Sequence, residues 1–446
     1  MSRKDNFNAF IGAVNSKHGK TIGVASNMVA DDIPRLSTGS LSFDFALGGG
    51  VPIGRLSMFR GAESSGKTTA VLRIAALAQN LCANCLRPVD VEVVEIGEDP
   101  ISGYIEYDAV GFCDCYQSGI FKPEPHFDEY SDRDKGTMRQ IEVEDVDDKG
   151  KPRKKKISAY KHRMSQYSEN SYSEFRVIFF DVEGTLDLDL AKSVGVDPRR
   201  LRVAKPSTAE ECIDLYDELM RTGTVDLMII DSIAAMTPSI EVEASTEDRQ
   251  MAEQAKLINK FVRKVTSSVL DVDRDFGFQI TQIWINQERV TMGGGWGDNT
   301  DTPGGNGQKF GSSLIAKMWP SKWEKEKFDA DLKKDFQIEV GKEVKMNFKI
   351  IKNKTGPAQA SGSYVMRVVG VRRGKIEEFK YIIDQARKYN LYREEEEGKK
   401  KFWYVGDEKF DKKGSALAKM EDPAVMFALK TELLKRMLKA SKELEV

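Results

Sequence analysis

Cysteine is scarce, with five in 446 residues. That is too few for a disulfide scaffold in a chain of this length, and the usage fits a reducing cytoplasm. No run of 18 apolar residues exists, so no membrane-spanning helix is expected. The first residues, Met1-Ser-Arg-Lys-Asp5, lack the apolar centre of a secretory signal, and a cytoplasmic location is expected. Net charge is also nearly absent, at −2 from 68 basic and 70 acidic side chains. A globally basic nucleic-acid binder is thereby excluded, and any such contact must come from local patches. What remains is a long, charge-balanced chain with material for two or three domains and a sizeable core.

The chain is organised around Gly61-Ala-Glu-Ser-Ser-Gly-Lys-Thr68. Glycine, four residues, glycine, lysine, threonine is the spacing that wraps backbone N–H groups around a nucleotide's phosphates. A short apolar stretch, Leu56 to Phe59, leads in as a strand, and an apolar helical run, Ala70 to Leu77, leaves. That order aims a helix N-terminus, with its unpaired N–H groups and partial positive charge, at an anion. Lys67 would reach the terminal phosphates and the Thr68 hydroxyl would hold Mg²⁺. Gly61, Glu63, Ser64, Ser65, Gly66 and Thr69 would surround the nucleotide. ATP or GTP is the expected ligand.

Residues 3–17 carry Phe7, Phe10, Ile11 and Val14 at helical i, i+3, i+4, i+7 spacing. Such a helix packs on its own domain or docks on a neighbouring subunit, and residues 1–34 are assigned to it and its linker. Between 82 and 173 lie four of the five cysteines, an acidic crowd from Glu142 to Asp148 and a basic one from Lys149 to Arg163. Few long apolar segments occur there, so it reads as an insertion. The segments 35–81 and 174–356 then form one α/β core. Its strands are expected at Phe175–Glu183, Val225–Ile233, Phe276–Asn286 and Val344–Asn353. Runs without polar alternation are strands covered on both faces, as in a mostly parallel sheet. Residues 357–446 read as a small α+β domain, with a helix over Lys375–Tyr389, a strand at Phe402–Val405 and a helix opened by Asp422-Pro423.

Hydrolysis needs a second carboxylate for the metal and a base for the attacking water. Leu227-Met-Ile-Ile-Asp231 ends an apolar strand in the expected Mg²⁺ anchor, and Glu183 follows another strand end, placed to polarise water. A third strand, Ile283-Trp-Ile-Asn-Gln287, ends in an amide suited to sensing a γ-phosphate. After it comes the glycine-dense stretch 288–306. Loops this long are functional or disordered, and Arg289 with Trp296 suits a phosphate backbone and unstacked bases.

Taken in order, these pieces resemble the RecA family of recombinases. The resemblance rests on Ser37-Thr-Gly-Ser-Leu-Ser42, the 61–68 loop, Phe180-Asp-Val-Glu183, Ile230-Asp-Ser-Ile-Ala-Ala-Met-Thr-Pro238, Ile285-Asn-Gln287, Gly304-Gly-Asn306 and Ile351-Lys-Asn-Lys354. It covers nearly the whole chain outside the insertion. It implies a RecA-like phosphate-loop ATPase core with an N-terminal helical arm. It also implies a DNA-dependent ATPase that forms helical filaments on single-stranded DNA and promotes strand exchange. Glu183 would be the general base and Gln287 the switch coupling ATP to DNA. Lys352 and Lys354 would reach a neighbour's γ-phosphate, and Asp187 would contact the nucleotide. Arg249, Arg289, Met292, Trp296, Gly304, Gly305 and Asn306 would touch DNA. Phe7, Phe10 and Phe310 would sit in subunit contacts. The C-terminal domain, with Lys399, Lys400, Lys401, Lys409, Lys412 and Lys413, would help admit duplex DNA. The sequence departs from the family at Gly184, where a larger residue is common, and at Leu190, in place of an adenine-stacking tyrosine. The resemblance implies that Ile240 to Met251 and the 288–306 stretch are the two DNA loops, and the first carries Glu241, Glu243, Glu247 and Asp248 against Arg249 alone. Two alternatives stay open, a motor of the same superfamily that unwinds or translocates, and a scaffold using ATP only to assemble.

Cys82-Ala-Asn-Cys85 and Cys113-Asp-Cys115 form a C-x-x-C and a C-x-C pair. Four thiolates suffice for a tetrahedral structural zinc site, with His126 a substitute ligand. The flanking segment Val91 to Ile105 would fold as a ribbon, and metal binding would organise an insertion too polar to hold a core unaided. Ordinary reduced thiols are the alternative.

Overall fold

The computed structural model describes residues 9–11, 13–14, 16, 33–98, 105–111, 113, 140–146, 152–158, 174–240, 251–276, 280–290, 300–301, 303, 305, 307–321, 343–368, 373–398 and 400–444. In chain order the elements of the core and of the first insertion hairpin are β1 (Leu56–Gly61), α1 (Lys67–Gln79), β2 (Val91–Glu98), β3 (Ile105–Gly111), β4 (Val177–Asp181), α2 (Leu188–Ser193) and β5 (Leu201–Ala204). They continue with α3 (Ala209–Thr222), β6 (Leu227–Asp231), α4 (Met251–Phe276), β7 (Thr281–Gln287), β8 (Leu314–Pro320), β9 (Glu343–Asn353) and β10 (Ser361–Arg367).

An eight-stranded sheet runs β10-β9-β8-β1-β7-β6-β4-β5. The pairings from β8 through β5 are parallel, whereas β9 and β10 add on antiparallel. The central strands are apolar on both faces because helices cover both. Alternate residues sort accordingly. Phe59, Phe179, Ile229 and Ile283 face α1 and the cluster around Val71 and Ile74. Met58, Phe180, Met228, Ile230 and Trp284 face α3 and α4, where Tyr216 and Phe261 pack. The Trp284 and Phe261 rings stack at 4.6 Å, and Trp284 Nε1 donates to the Tyr216 hydroxyl.

Three differences from the sequence expectations have local causes. Phe276 ends helix α4, and the strand expected to begin there starts at Thr281. Edge strand β5 carries exposed Arg202 and Val203, so its four residues gave no apolar run. Strand β10, Ser361-Gly-Ser-Tyr-Val-Met-Arg367, belongs to the central sheet although it lies past the expected core boundary at 356. Its polar first half hides a register in which Tyr364 and Met366 turn inward.

The C-terminal residues form a helix (Phe379–Lys388), a three-stranded sheet and two further helices, Lys413–Glu421 and Pro423–Leu444. Asp422 accepts from the Ala424 and Val425 N–H groups, capping the last helix. Ile382, Ala386, Tyr392, Met420 and Leu433 form its core together with Leu41 from the helix Leu41–Ala46. The insertion contributes two antiparallel hairpins, β2 with β3 and Gln140–Val146 with Pro152–Ser158. Among the described residues no helix is long and apolar enough to cross a membrane.

Candidate active site

The parallel strands all point their C-terminal ends at one edge, and the chemistry collects there. Gly61 ends β1, where a Cβ would lie 2.2 Å from the Met318 carbonyl oxygen, so only glycine fits. Gly66, at φ +73°, turns the chain into α1. Lys67 Nζ is held by the Gly61 and Ala62 carbonyls at 3.1 and 2.7 Å and by Ser65 Oγ at 3.2 Å. Burial holds its ammonium below the ordinary pKa, while the Asp231 and Glu183 carboxylates pull the other way. Glu63 and Ser64 are exposed, and Thr69 is buried.

Thr68 Oγ1 donates to Asp231 Oδ2 at 2.6 Å across 163 residues of chain. A hydroxyl and a carboxylate in contact at a helix N-terminus form a hard oxygen donor set suited to Mg²⁺. Burial pushes the Asp231 carboxyl up to about 6, opposed by the Thr68 hydrogen bond.

Glu183 lies one strand over, because Asp231 pairs in register with Asp181. Its Oε1 accepts from Gln287 Nε2 at 2.8 Å and from the Ser232 hydroxyl. Asp181 itself accepts from the Thr185 and Leu186 N–H groups, fixing the turn that carries Glu183. Asp187 caps α2 through the Asp189 and Leu190 N–H groups, and its second oxygen pairs with Arg373 at 2.8 Å. These contacts, led by the Leu190 N–H, hold its pKa below the usual carboxylate range.

Beyond Gln287, the buried Glu288 carboxylate bridges Arg60 at 3.0 Å and Lys317 at 3.1 Å, and its N–H donates to the Gly61 carbonyl. The end of β7 is thereby tied to the phosphate loop. Asn286 donates to the Pro303 carbonyl at 3.0 Å and to Gln308 Oε1 at 2.8 Å, tying the same strand end to the far side of the glycine-dense stretch. Arg289 pairs through its backbone with Asp301, and Gly305 takes φ +72°. Arg249, Met292, Trp296, Gly304 and Asn306 lie outside the described residues, as do Phe7, Lys399, Cys115 and His126.

Lys352 and Lys354 lie elsewhere. Antiparallel β9 sets Lys352 beside Ile315, which pairs with Met58 near the start of β1. The 58–61 span puts Lys352 about 10 Å from the phosphate loop along the strand, at about 3.3 Å per residue. Lys352 Nζ donates to the Lys309 and Phe310 carbonyls at 2.6 and 3.2 Å, and Lys354 Nζ lies 3.4 Å from the Phe310 carbonyl. Phe310 is 75% exposed and Phe10 64%.

Two lysines of the basic C-terminal run are matched by acids. Lys401 pairs with Glu394 and Glu396, and Lys409 pairs with Glu397 while lying 3.8 Å above the Phe402 ring. In the insertion, the Cys82, Cys85 and Cys113 sulfurs lie within 4.8 Å of one another, with Cys85 and Cys113 at 3.4 Å. Tetrahedral zinc with bonds of about 2.3 Å would place its thiolates about 3.8 Å apart, so the donor set fits that ion. A tight turn presents the first pair, in which the Leu86 N–H donates to the Cys82 carbonyl at 2.7 Å. Cys212 is a buried core residue of α3.

Ser232, Asp181 and Glu288 gave no signal of their own in the sequence, since nothing local marks them as partners of Glu183 or the phosphate loop.

A family model described as the RecA N-terminal domain matches residues 6–94 and 156–368. Among curated proteins, the chain is similar to Protein RecA of Fusobacterium nucleatum, 29% identical over 66% of this chain and 51% of that protein. It is also similar to Protein RecA of Syntrophus aciditrophicus, 26% identical over 73% of this chain and 64% of that protein. The chain thus spans between half and two thirds of the length of these relatives.

Proposed function

The chain belongs to the RecA family, and from that premise we propose a DNA-dependent ATPase that polymerises on single-stranded DNA and promotes homologous pairing and strand exchange. Gly61 to Thr69 would hold ATP, and Thr68 and Asp231 would hold the Mg²⁺ that neutralises phosphate charge. Glu183 takes the proton of the attacking water, and Lys67 neutralises phosphate charge. Gln287 reads the γ-phosphate, Asp187 lies at the nucleotide's margin, and Lys352 and Lys354 complete the site of a neighbouring protomer.

The observation that carries this reading is the position of Gln287. Its side chain reaches the base Glu183, while the adjacent Asn286 holds the far end of the glycine-dense stretch at Pro303. One strand end therefore links hydrolysis to the loop that grips single-stranded DNA through Arg289, Met292, Trp296, Gly304, Gly305 and Asn306. Arg249 contributes from the neighbouring loop. The two lysines support a shared site, because β9 carries them away from their own phosphate loop and beside exposed Phe310. Phe7 and Phe10 supply the docking arm of the same assembly. The C-terminal unit admits duplex DNA, and Cys82, Cys85 and Cys113 would hold zinc as a structural ion.

The test measures ATP hydrolysis and strand exchange with and without single-stranded DNA. Hydrolysis stimulated by DNA together with exchange of a homologous strand is expected. Unwinding of a forked duplex without exchange, or nucleotide binding without DNA-stimulated phosphate release, would replace this reading with a motor or a scaffold.

A further inference from the structure

A cavity of about 370 Å³ lies at the opposite edge of the sheet from the phosphate loop. Its floor is the N-terminal ends of β4 and β5 with Thr224 and Val225 leading into β6, and its roof is Tyr107 and Ala109 of the insertion strand β3. The five residues of β4 separate it from the Glu183 edge by about 16 Å. Its size is at the small end of ligand-binding cavities.

Four arginines line this cavity, Arg176, Arg199, Arg200 and Arg202, against one carboxylate, Glu174. Glu174 takes Arg200 Nε at 3.0 Å, and Asp197 takes Arg199 at 2.8 Å. Arg202 donates to the Arg199 carbonyl and has no carboxylate partner among the described residues. Arg200 is 92% buried, being 8% exposed, and its Nη2 has no acceptor. A guanidinium donor kept from both water and an acceptor is costly to leave unpaired. Tetrahedral oxyanions satisfy such forked donors in pairs.

We propose that this cavity is a second phosphate-binding site, formed jointly by the core sheet edge and the insertion. Glu174 also bridges to Cys82 through the backbone, so the cysteine cluster holds the wall against which Arg200 is set. The phosphate comes from a free ion or from a DNA backbone, and the experiment separates these. The inference does not depend on strand exchange.

Inorganic phosphate is titrated calorimetrically into the full chain saturated with ADP and Mg²⁺, so the phosphate loop is occupied. In parallel, a short single-stranded oligonucleotide is titrated over a range of salt. The variants are the double substitution Arg199→Ala with Arg202→Ala on the rim, and Arg200→Lys, which keeps the charge opposite Glu174 but loses the fork. If the source is a free ion, phosphate binding weakens about tenfold or more in both variants and oligonucleotide binding is unchanged. If it is DNA, oligonucleotide affinity falls by a similar factor, and the salt slope drops by about 1.4 in the rim variant. ADP affinity stays constant in either case. Equal phosphate and oligonucleotide binding by wild type and both variants overturns the proposal.

Discussion

The Gln287 amide donates to Glu183 Oε1 at 2.8 Å, across three adjacent strand ends. Because Ser232 donates to the same oxygen, the carboxylate is fixed by one neighbour just past β6 and one at the end of β7. Substitution of either partner should then have separable effects. Glu183→Gln should lower kcat for ATP about 10²–10⁴-fold, the range for loss of a general base, with nucleotide affinity kept. Gln287→Ala should leave basal hydrolysis within a few fold while removing its stimulation by single-stranded DNA. Steady-state phosphate release with and without DNA checks both. Retained stimulation in Gln287→Ala would falsify the coupling assigned to this amide.

Lys67→Ala should abolish nucleotide-dependent filaments, and Lys352→Ala should abolish hydrolysis while leaving the phosphate loop intact. A head-to-tail interface makes a sharper demand. Mixed in equal amounts, the two inactive variants should regain about a quarter of wild-type hydrolysis. About a quarter of random contacts unite an intact phosphate loop from one chain with an intact lysine from the next. A mixture as inactive as its components would place the lysine's role within its own chain.

Asp44 offers a pH test away from the nucleotide. It accepts from Ser37 Oγ, the Thr38 N–H and Thr38 Oγ1, yet full burial pushes its carboxyl from 3.8 up to about 6. A raised folded-state pKa means the folded chain binds the proton more tightly than the unfolded one. Its contribution is therefore complete below about pH 4 and is lost as pH climbs through 6. Asp231, also raised to about 6, acts in the same direction. Asp44→Asn should flatten the decline of stability between pH 4 and 7, whatever it does to stability overall. Denaturant midpoints across that range supply the slope, and an unchanged slope would remove Asp44 as a cause.

Much of the candidate site's grouping at one sheet edge was legible because its members stand at strand ends or in a spaced loop. Lys67, Thr68, Asp231, Glu183 and Gln287 each follow an apolar run that marks a buried strand. Their contacts were not legible, because they depend on which strands are neighbours. Only the order β1-β7-β6-β4 brings Gln287 to Glu183 and Thr68 to Asp231. The reversal of β9 was equally hidden, since the residue pattern of a strand does not state its direction, and that reversal moves Lys352 and Lys354 off their own phosphate loop. Ser232 and Asp181 act through turns set by tertiary register, and Glu288 through Arg60 and Lys317 on flanking strands.

The cysteine cluster makes a claim that is independent of nucleotide chemistry. Three sulfurs within 4.8 Å of one another are brought together by the tight turn at Cys82–Leu86 and by Cys113, two residues past β3. The hairpin above them has a small core, Cys82, Val89, Ala109 and Cys113 with Cys85 and Val91 against it. So little apolar surface would not order it alone, and metal binding would add directly to its folding free energy. The purified chain should carry about one zinc per protomer, read by inductively coupled plasma mass spectrometry. Cys85→Ser should lower that stoichiometry and accelerate amide exchange in β2 and β3. Exchange in β6 and β7, in the centre of the eight-stranded sheet, should stay as slow as in the wild type. Metal-free protein with slow exchange in β2 and β3 would show that the thiols pack without an ion. Equal loosening of β6 would instead mean that the insertion is part of the core's own cooperative unit.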